Sequence, residues 1–594
     1  MKLFSKLDLE FIYRSLGRKP NKKELIVLHD VLEPVLMQRK LLPARFVKQI
    51  GLIKNNIHFE IRDVQPNGNW GSTNFLLRDC ALHGSWPVQI SFIWLFKPSE
   101  VCLKNIHVKE KNLTDSFKPV ITHHSNFDTS RNKSGKVIVI AIMPNDLHPR
   151  NVSSGHLVGH VKILKPGSTL MHEKRIMNIL NRYDSFVSGF SLQNNHGSDL
   201  RHLLNLIPTS TSIDFTFPRK YKKGDGILIS EGVSDFKLKN LFIDAGYEYQ
   251  KVGKINSDTN HVFDFGDGQS KKWPRDVMQI SIHGKDEDSI AAKYDIQPER
   301  KKRSKKATLI NVVKKMIAAG FPNNTIDELL YDGVGQKIKI GAKHIYQSGE
   351  QPLFYGSRSI ADIVRQLAIE GSNVDSIALI TNVDDVAFLM GQQSVIHAFG
   401  LREQTQTYFL KNLERNHHQV IGIGEKNDQK ELSLTGSDFI SVLGTIKGEL
   451  GHSLYQEVTG LKSDQNQPVF DSTLEYNINQ TLVQAVSTNV IKKVVTFSKG
   501  GLTTALLDLY SILNCEYGIK IHISRKLRDE ELLFGESFGS ALVVIGEKEL
   551  MEFQRICMLY GIPSSTIGRL QIKKEISVNN ILTIPEKVLK ALPE

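Results

Sequence analysis

Apolar positions along the chain follow two rhythms in turn. Helical spacing runs through Lys22–Arg39, Leu309–Ala319, Ser359–Glu370 and Glu547–Tyr560. Short runs rich in β-branched residues, KVIVIAIM (Lys136–Met143), SIDFTF (Ser212–Phe217), IKIHIS (Ile519–Ser524) and ALVVIG (Ala541–Gly546), read as strands. Several helices end at a glycine able to take positive φ before a strand begins, which predicts repeated helix–turn–strand units. Such units imply an α/β fold of packed layers.

The rhythm repeats at long range. Arg78–Ile90, RDCALHGSWPVQI, matches Arg365–Ile377, RQLAIEGSNVDSI, in its arginine, its Gly-Ser and its closing isoleucine. Further on, Leu241–Ile255 matches Ile556–Leu570, with Gly246 and Gly253 spaced like Gly561 and Gly568. The order of the two matches is preserved, so the chain reads as an internal duplication.

Length and charge divide the copies. A chain of 594 residues should hold about four domains. The expected boundaries are a helical segment at 1–50, domains at 51–150 and 151–285, a linker at 286–307, and domains at 308–430 and 431–594. The linker carries RKKRSKK (Arg300–Lys306), read as a solvated connector. With 40% hydrophobic and 23% charged residues the composition is that of a globular protein. The net charge of +13 suits anionic partners, although charge alone speaks of steering rather than function. Four separated cysteines form no CxxC pair and indicate neither zinc nor a disulfide framework. No run is long enough for a signal peptide or a membrane span, so a cytoplasmic protein without membrane association is expected.

Three segments of the second half, ELGHSLYQEVTGL (Glu449–Leu461), VVTFSKGGLTTALLDL (Val494–Leu509) and LLFGESFGSALVVI (Leu532–Ile545), resemble the formylglycinamide ribonucleotide amidotransferase family. Leu16–Lys40 resembles that family's opening helix, Asp63–Asp79 its Gly-rich phosphate and metal segment, and Lys165–Leu180 a later helix. The resemblance implies two tandem aminoimidazole-ribonucleotide-synthetase-like modules. It also implies phosphoribosylformylglycinamidine synthase activity in purine biosynthesis, with ATP and Mg2+ as cofactors, a nucleotide substrate and ammonia from a separate glutaminase subunit.

Carried over residue by residue, the resemblance is uneven. The family's catalytic histidine falls at about Val35, and valine transfers no proton. His58 is the substitute in NNIHFEIRD, against the plainer reading of a structural histidine. Asp79 matches a metal-binding carboxylate; such an aspartate in a helix is often only a solvated or paired charge. The nucleotide-binding candidates are Gly68, Lys499, Gly500, Gly501, Gly535 and Glu536, with Lys499 standing where the family has aspartate. These losses leave two readings open, an active synthetase and an inactive paralogue that senses nucleotide or scaffolds assembly.

Other signals are weaker. His156 and His160 have i,i+4 spacing, yet flanking glycines argue for a loop and no third zinc ligand is evident. No Walker loop and no Gly-x-Gly-x-x-Gly after a strand is present, and no cysteine nucleophile motif marks a glutaminase within the chain. Nucleic acid, which would bind through Arg300–Lys306 and the cluster Arg219, Lys220, Lys222 and Lys223, ranks last among partners, because only Tyr221 is there for base stacking.

Overall fold

The computed structural model describes residues 4, 6–41, 57–64, 74–82, 84, 86–87, 89–94, 120–125, 135–142, 152–162, 171–180, 183, 186–192, 194–208, 210–232, 235–275, 308–318, 327–330, 336–340, 344–345, 352–381, 385–401, 405–409, 417–425, 432–451, 453–460, 470–497, 499–524 and 527–592. The chain divides into two compact units, Met1–Lys285 and Asp286–Glu594. The basic run Arg300–Lys306 lies outside the described residues.

Unit 1 opens with helices α1 (Lys6–Leu16) and α2 (Lys22–Leu41). Then follow β1 (Ile57–Val64), α3 (Asn74–Leu82), β2 (Gln89–Trp94), β3 (Val120–Ser125) and β4 (Gly135–Ile142). These strands form a sheet of order β1-β4-β2-β3. The chain continues through β5 (Leu157–Lys162), α4 (Met171–Leu180), β6 (Phe186–Ser191), α5 (His196–Leu206), β7 (Ser212–Thr216) and β8 (Gly226–Ser230), then α6 (Asp235–Asp244), β9 (Glu248–Asn256), β10 (Asn260–Asp264) and β11 (Ser270–Pro274). Their sheet has the order β6-β8-β5-β9-β7-β10-β11. Its core gathers Ile213, Ile227, Ile229, Ile255, Phe263 and Trp273.

Unit 2 begins with α7 (Leu309–Ala318), β12 (Asp327–Leu330), β13 (Gln336–Ile340), β14 (His344–Ile345), α8 (Pro352–Ala368), β15 (Val374–Thr381), α9 (Val386–Ala398), β16 (Thr405–Phe409) and β17 (His417–Glu425). The sheet runs β12-β13-β17-β15-β16, with β14 also paired to β17. The remainder comprises β18 (Phe439–Gly444), α10 (Leu454–Thr459), α11 (Ser472–Ser487), β19 (Lys493–Thr496), α12 (Gly501–Ile512), β20 (Gly518–Ile521), α13 (Asp529–Phe534), β21 (Ser540–Ile545), α14 (Leu550–Leu559), β22 (Ser564–Gln571), β23 (Glu575–Val578), β24 (Leu582–Pro585) and α15 (Glu586–Leu589). Here the order is β19-β21-β18-β22-β20-β23-β24.

The two seven-stranded orders are the same chain order, strand for strand. Pairing directions agree as well. The β7–β10 and β20–β23 pairs are parallel, and β5–β9 and β18–β22 are antiparallel with a register shift in each. In the smaller sheets, β1, β4, β2 and β3 correspond to β13, β17, β15 and β16, each with its last pair parallel. The internal matches therefore mark true equivalents. Gly246 and Gly561 both take left-handed φ between a helix and the strand that follows, the conformation glycine adopts without steric cost.

Two local expectations are corrected. The segment around His156 and His160 is strand β5 rather than loop, and extended backbone would carry residues four apart about 13 Å along it. His160 is buried beside Asp225, 3.4 Å away. The helix expected from Ser359 begins at Pro352, because proline's missing N–H costs nothing in a helix's first turn.

Candidate functional site

Strand β19 ends just before Lys499-Gly500-Gly501, from which α12 departs. Gly500 and Gly501 have φ of 86° and 64°, and a Cβ on Gly501 would stand 2.2 Å from the Gly535 carbonyl oxygen. Conformation and space together demand glycine there. Thr503 donates to the Leu533 carbonyl at 2.8 Å and Thr504 to the Lys499 carbonyl at 2.7 Å. The first bond fastens the start of α12 to α13, and the second closes α12's own opening turn.

Glu536 is buried at that junction. Its Oε1 accepts the Gly500 N–H at 2.8 Å and the Leu454 N–H at 2.6 Å. One carboxylate oxygen thus caps both α12 and the short α10, where the positive ends of the helix dipoles favour negative charge. The Glu536 N–H donates to the Glu449 carbonyl at 2.7 Å. Ser537 Oγ accepts the N–H groups of Lys447 and Gly448 at 2.8 and 3.1 Å. Burial pushes the Glu536 carboxyl above the usual carboxylate range, while Arg358, the two N–H donors and Lys499 pull it back. Arg358 of α8 is itself bound to Asp362 at 3.2 Å and lies 5.8 Å from the centre of the Phe538 ring.

The structure therefore gathers Lys499, Gly500, Gly501, Gly535 and Glu536 in one place. The segment LFGES begins in α13 and reaches back to the glycine pair. The Gly500 N–H is engaged by Glu536, so a phosphate would take it only by displacing that carboxylate. The backbone donors as they stand do not form an open phosphate seat, and the cations Lys499 and Arg358 are the groups left to attract one.

The remaining candidates lie in unit 1. Asp79, on α3, is half-buried rather than exposed and accepts the Ser191 N–H at 2.7 Å. Among the described residues no group of three or more His, Cys, Asp or Glu is gathered to hold a metal. Magnesium at Asp79 would rest chiefly on nucleotide phosphates, as this small, strongly hydrated ion commonly does. His58 is in β1, opposite Ala141 of β4, and Val35 is in α2; their side chains and all of Gly68 lie outside the described residues. The equivalent of α12 is α5, whose start is also filled from within. Asn195 accepts the Gly197 N–H at 3.0 Å, and Asp199 accepts the Asn195 N–H at 3.1 Å.

No profile of a known protein family matches the chain. A stretch of 156 residues, 26% of the chain, is 28% identical to phosphoribosylformylglycinamidine synthase subunit PurL of Thermoanaerobacter sp. (strain X514). PurL of Pyrococcus horikoshii is 28% identical over 160 residues, 27% of the chain. The matched stretches span only 21% and 22% of those relatives' own lengths. In three dimensions, T. maritima PurL complexed with AMPPCP matches 95% of this chain with 99% of its own, at a TM-score of 0.51 and 11% identity. The chain is similar to PurL over about a quarter of its length and shares the PurL fold.

The PurL-like fold, with duplicated aminoimidazole-ribonucleotide-synthetase-like domains, accounts for the repeated sheets. It also directs attention to a pair of residues outside the candidate list. Arg78 binds Glu173 of α4 at 2.8 Å and the Gly224 carbonyl at 3.1 Å. At the equivalent place Arg365 binds Glu475 of α11, and the Ser540 carbonyl at 3.4 Å. Both ion pairs are buried. The arginines stand first in the matched 78–90 and 365–377 segments, which was the available signal; the glutamates lie far along the chain and carry none. Arg358 was likewise invisible, because nothing local tells a buried arginine from an exposed one.

Proposed function

We propose that the chain serves purine biosynthesis as a PurL-like synthetase. ATP, accompanied by Mg2+, would phosphorylate the oxygen on the glycinamide carbonyl carbon of formylglycinamide ribonucleotide, releasing ADP. Ammonia from a separate glutaminase would then add to that carbon and expel phosphate, giving the amidine. The observation that supports this reading best is the fold shared with T. maritima PurL complexed with AMPPCP across nearly the whole of both chains. Asp79, Lys499 and Arg358 are the charged groups we assign to phosphate and metal, and a cytoplasmic location belongs to the same proposal.

A second reading has its own support. Val35 occupies the position of the family's catalytic histidine, and Lys499 that of an aspartate. Glu536, meanwhile, occupies the Gly500 N–H of the glycine pair and the N–H of Leu454. A chain built this way suits a catalytically silent paralogue that keeps the scaffold for nucleotide sensing or assembly. Ammonia-dependent conversion of formylglycinamide ribonucleotide with ATP and Mg2+, with the purified chain alone and then with a glutaminase, separates the two. Amidine formation in either arm supports the synthetase; ATP binding without product in both arms leaves the silent reading standing.

A further inference from the structure

Three loops of unit 1, distant in sequence, converge on one face. They are residues 17–23 at the α1–α2 turn and the start of α2, 217–225 between β7 and β8, and 264–272 around the β10–β11 hairpin. Lys23 Nζ donates to the Phe265 carbonyl at 3.1 Å, tying the first loop to the third. Arg18, paired with Glu24, also donates to the Lys272 carbonyl at 3.3 Å. The second loop joins the third through the Phe217 N–H, which donates to the Asp264 carbonyl at 2.8 Å, and through the Phe217 ring, 5.9 Å from that of Phe265; the His196 ring packs 4.6 Å from Phe217 and 5.7 Å from Tyr221.

Together the loops carry ten lysines and arginines against three aspartates. Asp225 is buried, and Asp264 Oδ1 is turned onto the hairpin's own N–H groups, which leaves Asp267 as the exposed acid of the three. Lys19, Lys22, Arg219, Lys220, Lys222 and Lys272 are all exposed. The Phe217 ring is buried and Tyr221 packs on the core beside it. The face therefore offers cations without a free aromatic platform for stacking, and the large exposed apolar side chains Phe236 and Ile243 belong to α6 instead. In unit 2 the equivalent β20–β21 connection also carries Arg525, Lys526 and Arg528, but sets Asp529, Glu530, Glu531 and Glu536 beside them, so the excess of cations belongs to the loop of unit 1.

We propose that this face of unit 1 binds the phosphate backbone of nucleic acid without reading its sequence. Cations spread over three loops match a polyanion better than a single phosphate, and phosphate contacts of this kind position without specifying. The proposal stands apart from the purine reading. It also reverses the ranking drawn from the sequence, where nothing showed the other two loops beside residues 219–223.

The test is binding of the full chain to mixed-sequence duplex and single-stranded oligonucleotides over a range of salt. Binding to duplex should fall with salt at a log–log slope of about −0.9 per phosphate neutralised. The combined Lys19→Glu, Lys22→Glu, Arg219→Glu, Lys220→Glu variant should lose at least about tenfold in affinity and show a shallower slope. The same lysines changed to arginine should keep both, and purine-enzyme assays of these variants report separately on the synthetase reading. The proposal is overturned if the parent chain binds no oligonucleotide at low salt, or if the glutamate variant binds as well as the parent. It is also overturned if neutralising Arg300–Lys306 alone abolishes binding, or if anionic phospholipid vesicles are bound by these cations and oligonucleotides are not.

Discussion

Asp508 lies nearly buried on α12, and its Oδ1 meets no hydrogen-bond partner among the described residues. Burial raises its carboxyl from 3.8 to about 7. The unfolded chain therefore holds fewer protons than the folded one between those values, and folding stability falls as pH rises from about 4 through about 7. Asp508→Asn removes that charge and should raise the unfolding free energy at pH 8 by an amount on the order of 4 kcal/mol, with the gain shrinking towards pH 4. A gain of the same size at both pH values would show that ionisation is not its cause. Gly501 gives the opposite kind of prediction. Gly501→Ala places a methyl group against the Gly535 carbonyl at positive φ, and should cost about 2 kcal/mol or more in denaturant unfolding; a loss under about 0.5 kcal/mol would mean the close approach is not enforced.

At the scale of elements, the Arg78–Glu173 and Arg365–Glu475 pairs fasten α3 to α4 and α8 to α11 at equivalent places in the two units. Removing one partner strands a buried charge, which typically costs about 3–5 kcal/mol. Arg365→Met should therefore lower the denaturation midpoint sharply. Adding Glu475→Leu should recover much of the loss, because a well-packed apolar pair can replace a buried ion pair. A double variant as unstable as the single one would refute the pair as the cause. Helix and strand identities at this scale were legible from periodicity and from glycine-punctuated turns. The partner of each arginine was not: it stands on a separate helix, and nothing in the residues around Glu173 or Glu475 announces burial. Glu536 was legible as part of LFGES, but its role as a cap for two helices depends on the fold bringing Leu454 and Gly500 to one oxygen.

For the whole molecule, two spaced matches in the sequence were enough to expose the duplication, because the shared glycines mark turns that both copies need. Sheet order was beyond their reach, since pairing joins strands such as β5 and β9 across long intervening segments. At the β7–β8 and β20–β21 connections the repeats differ, a short run with four cations in one and a longer segment of mixed charge bearing α13 and Glu536 in the other, so likeness of scaffold does not carry likeness of ligand with it. Ligand-induced stabilisation separates these levels. A nucleotide at a hundred times its dissociation constant should add about 2.7 kcal/mol to the stability of whatever cooperative unit binds it. On the synthetase reading, ATP and formylglycinamide ribonucleotide should each raise the melting temperature, and Lys499→Glu, which sets a second carboxylate beside Glu536, should reduce the ATP shift. On the silent reading the ATP shift remains while no amidine forms. A chain whose melting is indifferent to both ligands at millimolar concentration would retain the PurL-like scaffold and refute nucleotide binding in either form.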